Sequence, residues 1–78
     1  MGFEADKGYV LHTRPYRETS QLVDLFCYQH GRLRVVARGV RGGKKAAKYG
    51  AGLQPFSLLQ LAWRGKGELK TLGSAEPL

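Results

Sequence analysis

Nine cationic side chains lie between Asp24 and Glu68 with no acidic residue among them: Arg32, Arg34, Arg38, Arg41, Lys44, Lys45, Lys48, Arg64 and Lys66. Two rings, Phe26 and Tyr28, stand just before them, and Arg14, Tyr16 and Arg17 form a second small group upstream. The chemistry open to such a set is recognition of a polyanion. Guanidinium and ammonium groups pair with phosphates, and exposed rings stack on bases without reading sequence. A solvated face would account for any one of these cations, but not for so long a stretch without compensating acids. Glu18 is close enough to Arg14 and Arg17 in sequence to take one of them into a local ion pair.

Other chemistry finds little support. Cys27 is the only cysteine, so neither an intrachain disulfide nor a cysteine zinc site can form. His12 and His30 are too far apart to suggest a metal site; they read as a strand residue and a turn residue. No spacing supports Ser20 and Asp24 as members of a catalytic triad, and paired carboxylates are absent. The stretch "GVRGGKKA" fails as a phosphate-binding P-loop, because Arg38 stands where the first glycine belongs and Lys45 where Ser or Thr is needed. Gly42 and Gly43 more simply give a mobile loop that carries Lys44 and Lys45 to a backbone. In "GAGLQP", Pro55 replaces the third glycine of a dinucleotide fingerprint. The expectation is a protein without catalytic residues, metal or cofactor.

The elements that must position these residues are short strands. A chain of 78 residues is a single domain, and a domain of this size buries only about 60% of its unfolded surface. The composition is globular, with 42% hydrophobic residues, and the 11 glycines suit tight turns. The net charge of +7 and pI of about 10.0 favour nucleic acid as partner, with an anionic membrane surface second. No run approaches a membrane span, and "MGFEADKG" lacks the apolar core of a signal peptide. Asp6 also breaks the myristoylation pattern begun by Gly2. The expected location is the cytoplasm.

Alternation places strands at 7–14, 20–28, 32–38 and 53–63, with a fifth beginning at 68–72. Tyr9, Leu11 and Thr13 share one side of the first. "RPYRETS" reads as a loop, and residues 39–52 as a longer loop with a helical turn at 44–48. Pro15 and Pro55 belong at loops or edges. Trp63 follows an apolar run and reads as packing rather than as a base platform. Five short strands with glycine turns predict a small closed or nearly closed barrel.

The turn between strands two and three decides where the arginines point, since one residue of slip exchanges the faces. A two-residue loop, His30-Gly31, buries Asp24 with Leu22, Phe26 and Tyr28. A three-residue loop, Gln29-His30-Gly31, buries Val23, Leu25 and Cys27 with Leu33, Val35 and Ala37. It leaves Asp24, Phe26 and Tyr28 outside beside Arg34, Val36 and Arg38. The second is favoured: it spares an unpaired buried carboxylate and uses a glycine where the left-handed region is needed.

The segment "VLHTRPYRETSQLVDLFCYQHGRLRVVARGVRG", with "LQPF" at 53–56 and "GELKTLGSAE" at 67–76, resembles the N-terminal domain family of the bacterial DNA repair protein RecO. The resemblance implies an OB-fold, a five-stranded Greek-key barrel. It implies binding of single- and double-stranded DNA, strand annealing, and work with RecR to load RecA onto DNA coated by single-strand-binding protein. It implies a bacterial, nucleoid-associated location. The family continues into a helical region and often a zinc-binding segment, so residues 1–78 are expected to be the N-terminal part of a longer protein.

OB-folds hold ligands across strands two and three, between the loops after strands one and four. Mapped here, that surface takes Arg32, Arg34 and Arg38 from strand three, with Phe26 and Tyr28 beside them. Arg14, Tyr16 and Arg17 come from the first loop, Arg64 and Lys66 from the fourth. The long loop adds Arg41, Lys44, Lys45 and Lys48. Two other uses fit the composition: an RNA-binding OB or SH3-like domain, and a module that docks an acidic tail, such as that of single-strand-binding protein.

Overall fold

The structure, a computed structural model, describes residues 2–38 and 53–78. The loop 39–52, its helical turn, and Arg41, Lys44, Lys45 and Lys48 lie outside the described residues.

Among the described residues there are five strands: β1 (Glu4–Tyr16), β2 (Ser20–Cys27), β3 (Gly31–Ala37), β4 (Leu58–Arg64) and β5 (Leu69–Pro77). They close into a barrel in the order β1-β2-β3-β5-β4. Every pairing is antiparallel except β3 with β5, which is parallel and joins only Arg34–Val36 to Leu69–Thr71. This is the expected all-β, five-stranded OB-fold barrel. Closure removes the sheet edges that an open sheet of this size would expose.

Alternation fills the interior. Val10, Val23, Leu25, Val35, Leu59, Leu61 and Trp63 are fully enclosed. Trp63, at 0% exposure, is a packing residue and offers no ring to a ligand. At Gly8, which pairs with Cys27, β1 leaves no room for a side chain. A Cβ there would lie 2.9 Å from both Cys27 Sγ and the Phe26 carbonyl oxygen.

Several boundaries differ from the sequence reading. β1 is longer at both ends, and only residues 17–19 remain as its turn, because Pro15 pairs with Gln21 without needing to donate. A bulge between Val10 and His12 reverses the alternation. Tyr9 therefore faces outward beside Phe26, while Thr13 shares the inner face with Val23. The fourth strand begins at Leu58 rather than Leu53. Leu53 is instead a buried core residue, and Phe56 takes the left-handed region at φ 69° and donates its N–H to the Val10 carbonyl.

The favoured faces of the hairpin are correct: Val23, Leu25, Cys27, Val35 and Ala37 are buried. Its turn is not. Cys27 faces Gly31, so the turn is Tyr28-Gln29-His30, and Gly31 stands just after it at φ 71°. The register moves by two residues, which keeps the faces and changes the partners. Asp24 thereby lies opposite Arg34 rather than free in water. The cause is Asp6, which accepts the N–H groups of Gln29 and His30 at 2.7 and 3.1 Å and fixes the turn. Val36, expected outside, is nearly buried where β3 meets β5.

Candidate nucleic-acid interface

The outer wall of β1, β2 and β3 carries cross-strand rows. Tyr9, Phe26 and Arg32 form one; His12, Asp24 and Arg34 form the next; Arg14, Leu22 and Val36 follow. Phe26 is 53% exposed, so one ring stands open beside Arg32. Tyr28 is 62% exposed, on the turn rather than on a strand. Lys7 Nζ sits 5.3 Å from its ring centroid, a cation–π contact that biases the ring's orientation.

Beside this wall, at the β3–β5 seam, lies a hollow of about 510 Å³. Tyr16 borders it from the end of β1, Leu22 and Asp24 from β2, Arg32, Leu33 and Arg34 from β3. Gly67, Glu68, Leu69 and Lys70 close the far side. A second hollow, of about 810 Å³, shares Tyr16, Leu69 and Lys70 and adds Arg17, Glu18 and Arg38 among its walls. Tyr16 thus marks the junction between the two. Arg17, at φ 58°, holds its guanidinium 5.3 Å from the Tyr16 ring.

The electrostatics are mixed. Among the described residues bordering the two hollows, Arg17, Arg32, Arg34, Arg38 and Lys70 oppose Glu18, Asp24 and Glu68. Arg34 Nε donates to Asp24 Oδ1 at 2.8 Å. The bond to Arg34 holds the Asp24 carboxyl below its ordinary range against the opposing effect of burial, with help from the charges of Arg14 and His12. Lys70 Nζ donates to the Gly67 carbonyl, a neutral group, so this bond does not offset its charge.

The predicted residues therefore divide. Tyr16, Arg17, Arg32, Arg34 and Arg38 border the hollows, and Phe26, Tyr28 and Arg14 stand on or beside the same wall. Arg64 and Lys66 border neither hollow. Arg64 instead lays its guanidinium 5.7 Å from the Phe3 ring, and Lys66 is exposed in the turn before β5. Lys70 takes the place expected of them. Its signal, a lysine just inside the fifth strand, was hidden because only the length of the β4–β5 turn tells which cation returns to the groove.

The sequence also gave no sign of the cluster that holds the Tyr28 turn. Asp6 is 8% exposed and accepts from Lys7 N at 2.8 Å as well as from the two turn N–H groups. His30 Nδ1 adds a fourth bond, at 3.0 Å to Asp6 Oδ2, and His30 Nε2 lies 3.5 Å from Glu4 Oε1. With a carboxylate at each ring nitrogen, both should carry a proton, which is the imidazolium. Its bond to Asp6 accordingly raises the His30 pKa, with desolvation opposing and Glu4 assisting. Burial raises the Asp6 pKa, but the bonds from His30, Gln29 and Lys7 outweigh it and hold the carboxyl at about 2.

The family described as "Recombination protein O N terminal" matches residues 1–78. Proteins named DNA repair protein RecO are similar over the same span. The one from Haemophilus influenzae strain Rd is 53% identical over 77 residues, 99% of this chain and 32% of that protein. That of Erwinia tasmaniensis is 53% identical over 72 residues, 92% of this chain and 29% of the relative. That of Actinobacillus succinogenes is 56% identical over 71 residues, again 29% of the relative. The chain thus spans about a third of the length of the curated relatives it matches. With the match covering every residue and the barrel closing as the resemblance requires, the chain belongs to the Recombination protein O N-terminal family.

Proposed function

We propose that this chain is a non-enzymatic DNA-binding module of a bacterial recombination and repair mediator acting in the cytoplasm. It holds single strands, and duplexes, mainly through phosphates. The relatives' names support the repair role. The observation that carries the binding role is the grouping of Arg32, Arg34, Arg38 and Lys70 around adjoining hollows, with the exposed Phe26 ring across from Arg32. Cations there follow a phosphate path, while Phe26 and Tyr28 take bases at about 1–3 kcal/mol per stacked base. By neutralising two polyanions at once, a +7 surface favours annealing. Work with RecR, single-strand-binding protein and RecA belongs to the longer protein, to which this barrel contributes the DNA contact.

Binding of a labelled single strand measured against salt tests this directly. Affinity falls by about 0.7 log unit per log salt for each phosphate neutralised. Replacing Arg34 and Arg38 with Ala weakens all sequences alike. Affinity independent of salt rules out the electrostatic mechanism, and loss confined to one sequence makes these residues base readers. Amide shifts on titration locate the contact.

A second use is favoured by the apolar part of the first hollow, where Leu22, Leu33 and Leu69 stand among the cations. An acidic peptide with an apolar side chain fits there. Its competition with DNA for the labelled chain distinguishes the two.

A further inference from the structure

Asp24 is out of place on a wall that binds phosphates. It occupies the middle of the central strand of the β1–β2–β3 wall, between His12 and Arg34. Its side chain is 16% exposed and borders the same hollow as Arg32, Arg34 and Lys70. A carboxylate there repels phosphate and occupies the Nε edge of Arg34 at 2.8 Å. A guanidinium binds phosphate best through a paired edge. With one edge taken and a negative charge beside it, Arg34 is a weakened anion ligand.

Stability alone does not explain the arrangement. A cross-strand ion pair whose arginine is half-exposed contributes little, and neutral pairs serve a sheet as well. Specificity is a difference of affinities, and a repulsive group can supply it. Phe26 and Tyr28 bind bases and are untouched by the repulsion, whereas a polyanion without accessible bases has only charge to offer. The geometry points to Asp24 as the specificity-determining residue of this interface: by holding Arg34 and placing a carboxylate in the groove, it weakens polyanions that offer charge alone and so favours strands with open bases. This deepens the proposed DNA contact and rests on it.

The test compares three probes on the 78-residue chain: a single-stranded oligonucleotide, a duplex of the same length, and heparin, which has charge but no bases. Asp24→Asn keeps an acceptor for Arg34 Nε and removes the charge. Asp24→Ser is a second neutral variant, and melting curves confirm that each folds. The expected result is a gain of about five-fold for heparin and duplex, the weight of one unit charge at about 4 Å in water. The gain for the single strand is smaller, so the preference for it shrinks. In an Arg34→Ala background the part of the gain that comes from freeing Arg34 is lost, and the part that comes from the carboxylate's own repulsion remains. Weaker binding of all three probes in both variants makes Asp24 a support for Arg34 and overturns the proposal. Equal gains for all three overturn it too. If the wild-type chain binds no oligonucleotide at low salt, the DNA-binding reading itself fails, a result separate from these.

Discussion

Asp6 is the residue on which the Tyr28 turn depends, since it accepts four hydrogen bonds from Lys7, Gln29 and His30. Its carboxyl, lowered from 3.8 to about 2, contributes stability that is present above the ordinary carboxylate range and lost as pH falls through about 2. His30 is raised, so its contribution is full below the ordinary value of 6.5 and lost as pH rises through its folded value. The cluster of Glu4, Asp6 and His30 is thus tightest between about pH 4 and 6.5. Asp6→Asn is expected to cost about 2 kcal/mol in that window, as charge-assisted bonds are lost. Thermal melts across pH check this: the difference between wild type and variant shrinks toward pH 2. Gly8 makes a second point at this scale. Gly8→Ala drives a methyl into the Phe26 carbonyl and Cys27 sulfur, and denaturant melts should show a loss of about 1–3 kcal/mol.

At the scale of elements, the closure of the barrel is uneven. β1 pairs with β2 over eight residue pairs, whereas β3 and β5 meet over only three. Parallel pairing is also slightly weaker per residue. Amide exchange is therefore expected to be faster at Leu69–Thr71 than at Val23–Leu25, where the strand is paired on both sides. The same seam borders the hollows, so DNA that spans it should slow exchange there first. Equal protection at both places would count against a weak seam. Strand existence was legible from alternation, and the inner set Val23, Leu25, Cys27, Val35 and Ala37 followed from parity. Tyr9 was grouped with Leu11 and Thr13 because a bulge adds one residue and leaves no mark in the pattern. The hairpin turn was misplaced for a different reason. Gly31 suits the last position of one three-residue loop and the position just after the other, and Asp6, 23 residues before Gln29, made the choice.

For the whole molecule, one small core implies one cooperative transition. Trp63, the sole tryptophan, is fully buried inside the barrel. Its fluorescence should shift to the red in a single step that coincides with loss of the far-ultraviolet signal. Two separate steps would mean that the barrel opens before it unfolds. Because Trp63 is enclosed, a stacked base cannot reach it, and oligonucleotide binding should leave its emission maximum in place. A shift on binding would show that the barrel rearranges around the ligand.

The sequence by itself determined an all-β barrel and a wall that combines arginines with rings, and its charge is what supports the proposal of a polyanion as partner. These follow from alternation and charge, which are local or additive and need no knowledge of distant contacts. Only the tertiary structure decided which cations share a groove: Lys70 instead of Arg64 and Lys66, and Arg34 already held by Asp24. The physical reason is that side-chain partners depend on exact register and turn length. A shift of two residues keeps every face the same and replaces every neighbour.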